Sequence, residues 1–206
     1  MEFMDNDESE LGERFLADGH IVLPVDDTSG LERLRNLIAG LAATHFGLPA
    51  PEESGAFLET IHDRLPPEEL NEFRLYVINS MNAEAWLRPT YYGLARKALA
   101  AVVGNELVMQ KRINLSIQLP NDDGSLLPVH ADVWSGDSPF EVVVWLPLVD
   151  CQATKSMYLL APAPNATMHT RMKEFASNSP EDLFKAIEDQ VEFIKISFGQ
   201  ILVFSQ

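Results

Sequence analysis

The sequence predicts an α+β fold in which helices pack on one sheet of a β-sandwich or jelly roll. Apolar residues recur at helical spacing through the first half of the chain. From Gly104 onward, short runs rich in Val, Ile, Leu and Phe follow one another between turn signals. Helices come first and strands second, an order that favours helices laid against an antiparallel sheet. At 206 residues one domain is expected, long enough for a sizeable core, with a mainly helical part over 1–103 and a β-rich part over 104–206.

The first helix is predicted over about 8–18, where Leu11 and Phe15 lie four apart and Gly19 suits the C-terminal cap. A short strand follows at 20–25. Asp27-Thr28-Ser29 opens a second helix with Leu31, Leu34, Ile38 and Leu41 on one stripe. Helical periodicity continues over 53–103, broken at Pro66-Pro67 and Pro89, with Phe73, Val77 and Met81 apolar on one side. Trp86, Tyr91, Tyr92 and Leu94 are expected in the core or along a groove. Strands are predicted at 107–119, 141–149, 156–160, 191–197 and 200–205, with a turn at 121–125. One late helix is signalled by Ser179 as cap, Pro180 at the first position and acidic residues behind it.

Hydrophobic content of 46% and charged content of 22% are those of a soluble globular chain, and no run of apolar residues could span a membrane. The formal net charge of −16 argues against nucleic acid as a partner, because phosphate binding needs a basic surface. It leaves room for a small-molecule substrate held by a local cation. The acidic start of the chain lacks the pattern of a secretory signal, and Cys151 is the single cysteine. A cytoplasmic location is therefore expected, with Cys151 as a small buried hydrophobe.

Two features carry chemistry. On a strand over 110–119, Gln110, Arg112, Asn114, Ser116 and Gln118 share one face and Ile113, Leu115, Ile117 and Leu119 the other. Solvent on the polar face is the plain explanation. The lane is uncharged apart from Arg112 and leads toward His130, so it also reads as the wall of a cavity. Further on, His130-Ala131-Asp132 places an imidazole and a carboxylate two residues apart, on one side of a strand. Both suit Fe(II), as two members of a 2-His-1-carboxylate triad. The competing explanation is a hydrogen-bonded His–Asp pair. A cupin would carry His-x-His with a nearby Glu, whereas here the second position is Asp132 and Glu141 lies nine residues on.

Several segments in order resemble the Fe(II)/2-oxoglutarate-dependent oxygenases of the phytanoyl-CoA hydroxylase type. Phe15-Leu16-Ala17-Asp18-Gly19-His20-Ile21-Val22-Leu23 is similar to the family's opening helix-Gly-strand, and 110–114 to the lane that ectoine-type hydroxylases use. His130-Ala131-Asp132 matches the proximal iron ligands, and 198–204 resembles the strand before the distal histidine. The segments 114–122 and 134–141 are most similar to a bacterial subgroup associated with surface-carbohydrate biosynthesis genes. The resemblance covers nearly the whole chain and implies a double-stranded β-helix with N-terminal helices packed on one sheet. It also implies His130 and Asp132 as metal ligands and catalytic residues, and Fe(II) and 2-oxoglutarate as cofactors. Asn114 is then the expected cosubstrate contact, Gln110 contacts cosubstrate or substrate, and Trp134 and Trp145 wall the pocket.

The activity so implied is hydroxylation of a small polar metabolite, such as a sugar or sugar-linked compound in surface-carbohydrate biosynthesis. In that pattern the distal histidine and the 2-oxoglutarate-binding arginine would fall past Gln206. The expectation is a C-terminally incomplete chain, a fragment or an inactive relative, with His169, which follows the loop-like stretch Ala161-Pro162-Ala163-Pro164-Asn165, as the one substitute ligand to consider. His20, His45 and His62 are expected at the surface or in packing. The rivals are a non-catalytic jelly roll holding a small ligand, a cupin-type sugar isomerase or epimerase, and a purely structural partner. A strand missing after Gln206 would leave its neighbour as an open edge, from which dimerisation or poor solubility is expected.

Overall fold

The computed structural model describes residues 6–122, 127–175 and 179–205, and helix accounts for about half of the chain. The helices of the first half are α1 (Asn6–Asp18), α2 (Thr28–His45), α3 (Ser54–Glu59), α4 (Leu70–Asn82), α5 (Leu87–Leu94) and α6 (Arg96–Val102). Local chemistry sets their ends. Gly19 closes α1 at φ +72°, its N–H donating to Phe15 O. Asp27 caps α2, accepting the Gly30 N–H at 2.9 Å and the Ser29 hydroxyl at 2.7 Å. A Cβ at position 30 would collide with the Asp27 carboxylate and sit 2.8 Å from the Thr90 methyl, so a larger residue there would have to displace the capping side chain. The Gly30 N–H, followed by the Ser29 hydroxyl, holds the Asp27 carboxyl below its ordinary value of 3.8. A depressed folded-state pKa contributes stability that is present at neutral pH and lost as pH falls through the carboxylate range. Asp27→Asn is therefore expected to be less stable than the wild type at pH 7, with the gap closing below about pH 4. Urea unfolding across pH checks this; a gap that persists in acid contradicts it.

The strands are β1 (His20–Pro24), β2 (Val142–Trp145), β3 (Tyr158–Leu160), β4 (Val191–Phe193) and β5 (Gln200–Ser205). β5 lies between β1 and β2 in a three-stranded antiparallel sheet, and β3 pairs with β4 in a second. Across the first sheet Ile21, Val203 and Val144 form one row, and Val22, Leu202 and Trp145 the next. Alternation then assigns the faces. Ile21, Ile201 and Val203 pack against Phe15, Leu31, Leu94 and Leu99 of the helices. Leu202 and Phe204 pack with Ile194, Ile196, Cys151 and Trp145 beneath the second sheet. With both faces covered, Ile201–Phe204 is buried residue by residue, which is why β5 reads as an unbroken apolar run. A third cluster joins α2 and α4 through Leu34, Ile38, Phe73, Val77 and Met81, and takes in Ile113 and Leu119.

Helices on one side of small antiparallel sheets agree with the order of periodicities. The division at 104 does not separate the two parts in space, because β1 from the helical part is a strand of the same sheet as β5. β5 is flanked on both sides, so it is not an open edge; the outer strands are β1 and β2. The expected strands shorten to 142–145, 158–160 and 191–193, while 200–205 holds. The run 107–119 is the main departure, for it joins no ladder among the described residues. Ala161-Pro162-Ala163-Pro164-Asn165, read as a loop, instead opens α7 (Pro162–Thr170), with Pro162 in the first turn where a missing N–H costs nothing. After α8 (Met172–Phe175), α9 (Pro180–Ile187) begins with the full capping box of Ser179 and Asp182. Part of the predicted turn at 121–125 lies outside the described residues.

Candidate functional site

His130 and Asp132 are side by side, although not on a strand. Ala131 is extended (φ −130°, ψ 136°), and Asp132 opens a 3-10 turn over Asp132–Ser135 that closes on Gly136 at φ +100°. The same-side placement expected from strand alternation is thus produced by a turn. His130 Nδ1 lies 2.7 Å from the Pro128 carbonyl oxygen. A carbonyl only accepts, so Nδ1 carries the proton and the neutral ring has its lone pair on Nε2. That Nε2 is 3.7 Å from Asp132 Oδ1, too far for a hydrogen bond. The expected alternative, a satisfied His–Asp hydrogen bond, is therefore not what the geometry shows. Two donor atoms converge with their lone pairs uncommitted to each other, and the far ring nitrogen is fixed by a backbone carbonyl. This is how metal-ligating histidines are commonly oriented.

The surroundings are negative and open. Glu141 has its carboxyl raised by removal from water, with the charges of Asp137 and Asp132 adding to the effect. The three carboxylates therefore share one field, which favours a cation. His130 and Asp132 keep 46% and 36% of their side-chain surface exposed, so water reaches the pair. Trp134 and Phe140 are exposed beside them in sequence. Among the described residues no group of three His, Cys, Asp or Glu is placed to hold a metal.

The remaining expected site residues are spread out. Gln110 and Asn114 are exposed and make no side-chain hydrogen bond among the described residues. The lane faces outward, while alternation over 112–119 buries Ile113 and Leu119 and half-buries Leu115 and Ile117. Trp145 is half-buried and packs against the apolar cluster between the sheets, and Trp134 is a surface residue. His169 lines a cleft of about 290 Å³ with Asp18, Asn165 and Ser205, and neither His130 nor Asp132 lines that cleft. His45 packs against Phe46, Phe73 and Tyr76, as a packing histidine should. Cys151 is buried, its thiol pushed up chiefly by that burial.

Sequence reasoning missed the groups that hold the lane in place. Asn82, at the end of α4, donates to Ile113 O at 2.8 Å and accepts from Ile113 N at 2.9 Å. Arg74 Nε donates to Leu115 O, and Arg88 donates to Met109 O. An Asn directly behind the buried Met81 was the available signal, since a polar side chain next to an apolar stripe needs a partner. A second cleft, of about 390 Å³, lies between Gly55, Glu59, Asp150 and Phe198, with the Arg35 guanidinium 3.5 Å from the Phe198 ring. Compared with known proteins, the chain matches no family model, no curated protein and no solved structure.

Proposed function

We propose that His130 and Asp132 are two protein ligands of a divalent iron centre, and that the chain is an Fe(II)- and 2-oxoglutarate-dependent oxygenase acting on a small polar metabolite. The observation that carries this reading is the pairing of His130 Nε2 with Asp132 Oδ1 at 3.7 Å while Nδ1 is committed to Pro128. The donor set fits: a neutral imidazole and a carboxylate are acceptable to Fe(II), and the carboxylates of Asp137 and Glu141 deepen the negative potential. With iron and 2-oxoglutarate bound, such a site supplies C–H hydroxylation by O2, the cosubstrate leaving as succinate and CO2. Asn114 and Gln110 belong to this reading as exposed amides free to meet polar groups of cosubstrate or substrate. The sheet of β1, β5 and β2, covered by helices on one face and by β3 and β4 on the other, is read as part of a jelly roll. A sugar or sugar-linked substrate rests on sequence resemblance.

One observation favours a second reading. Two ligands exposed to water bind iron weakly and do not exclude side reactions, which suits a ligand-binding module without turnover. An anaerobic titration with Fe(II) and 2-oxoglutarate, read by the visible charge-transfer band, separates the two. A saturable band supports the oxygenase. Mn(II) binding measured by electron paramagnetic resonance, without such a band, supports the binding module. His130→Ala is expected to weaken metal binding by more than the 10–100-fold typical of losing an outer-shell partner. Metal affinity unchanged in that variant would refute the assignment of His130 in both readings.

A further inference from the structure

The extended run that begins after the bend at Lys111 has two unequal edges. In an extended chain, the N–H and C=O of alternate residues point to opposite edges. The odd edge is engaged by side chains: Asn82 takes both groups of Ile113, and Arg74 takes the Leu115 carbonyl. The backbone groups of Arg112, Asn114, Ser116 and Gln118 on the even edge have no hydrogen-bond partner among the described residues. Their side chains are exposed as well. Such a row is a template for another strand.

Natural edges are usually protected by charge, proline or a bulge. This one is bare over Arg112–Gln118, with Arg112 its sole charge. Protection begins only outside the run, at the Lys111 bend and at Pro120, which has no N–H. The bare run Arg112–Gln118 between them is centred on Leu115.

We propose that this edge pairs with the same edge of a second copy, antiparallel and centred on Leu115, to give a two-fold symmetric dimer. The register sets Arg112 opposite the partner's Gln118 and Asn114 opposite the partner's Ser116, all on the polar face. On the other face Ile113 meets the partner's Ile117 and Leu115 meets its own counterpart. No like charges face each other, amides and hydroxyls meet polar groups, and apolar residues meet apolar ones. These are the pairings that favour cross-strand association. Over 107–121 the chain has no acidic residue although its net charge is −16, so the seam brings no carboxylates face to face. A two-fold contact of this kind closes on itself and leaves no edge for further growth.

The test is disulfide trapping combined with sedimentation velocity on the full chain. Directly opposed residues of a hydrogen-bonded pair are about 5.5 Å apart at Cα, within disulfide reach. Mixed Asn114→Cys and Ser116→Cys chains are expected to cross-link on mild oxidation, while neither variant alone does so, because like positions are then offset by two residues. The native Cys151 is buried and serves as the background control. Ser116→Pro deletes an N–H that has no partner among the described residues and suits extended backbone, so the dimer peak is expected to vanish with the circular dichroism spectrum unchanged. If Ser116→Pro does not fold, the cross-linking pattern decides alone. A wild type that stays monomeric at its solubility limit, cross-links independent of position, or a monomer that binds an acidic peptide strand instead would each overturn the proposal. None of these readouts requires metal.

Discussion

Phe73→Ala is expected to lower the free energy of unfolding by about 3–5 kcal/mol, the range for removing a buried aromatic ring. Phe73 is 1% exposed on α4 and joins that helix to α2. Its ring stacks on Phe46 at 5.3 Å with an interplanar angle of 11°, and His45 meets it edge-on at 5.1 Å. Such ring contacts add to the burial itself, about 0.5–1.5 kcal/mol for a pair. The site is enclosed by two helices, so the void left by the ring would collapse only in part. Phe73→Leu retains most of the volume and is expected to cost about 1–1.5 kcal/mol. Urea unfolding of both variants checks the order. Equal losses would mean that the ring contacts, and not the filled volume, carry the effect, and a Phe73→Ala loss below about 1 kcal/mol would mean that α4 is not packed as described.

What the sequence made legible was local. Gly19, Asp27 and the Ser179–Asp182 box act on backbone groups two to four residues away, so their roles follow from neighbours in the chain. The apolar stripes of α2 and α4 are legible for the same reason. The pairing of β1 with β5 is not, because about 180 residues separate the partners, and any of several apolar runs satisfies the pattern equally. Alternation over 112–119 was read correctly as alternation, yet it carries no information about whether a partner strand exists. At the candidate site the residue types His130 and Asp132 were legible. Their mutual geometry was not, since it depends on the 3-10 turn at Asp132 and on the Pro128 carbonyl, neither of which has a periodic signature. The stretch 161–165 reads as loop-like because proline carries the same letter whether it ends a helix or, as Pro162 does, begins one.

Asn82→Ala is expected to cost about 2–4 kcal/mol, more than a single surface hydrogen bond would suggest. The Asn82 side chain presents to Ile113 the donor and acceptor that a neighbouring strand would have supplied. Ile113 is 6% exposed, so truncation leaves its N–H and C=O with neither a partner nor ready access to water. Each orphaned group costs about 1–3 kcal/mol, partly recovered by local movement. Asn82→Asp retains the acceptor for the Ile113 N–H but sets a carboxylate oxygen against the Ile113 carbonyl, so a loss of similar size is expected at neutral pH. Hydrogen exchange gives the sharper check. The Ile113 amide should lose protection in Asn82→Ala by a larger factor than the amides of α4, whose own ladder is intact. Uniform loss of protection would mean that Asn82 acts only through global stability. Selective loss would show that one helix side chain holds the segment whose even edge is offered to a second chain. The same variant should then weaken dimerisation as well as folding, because a strand that is not held extended cannot serve as a template.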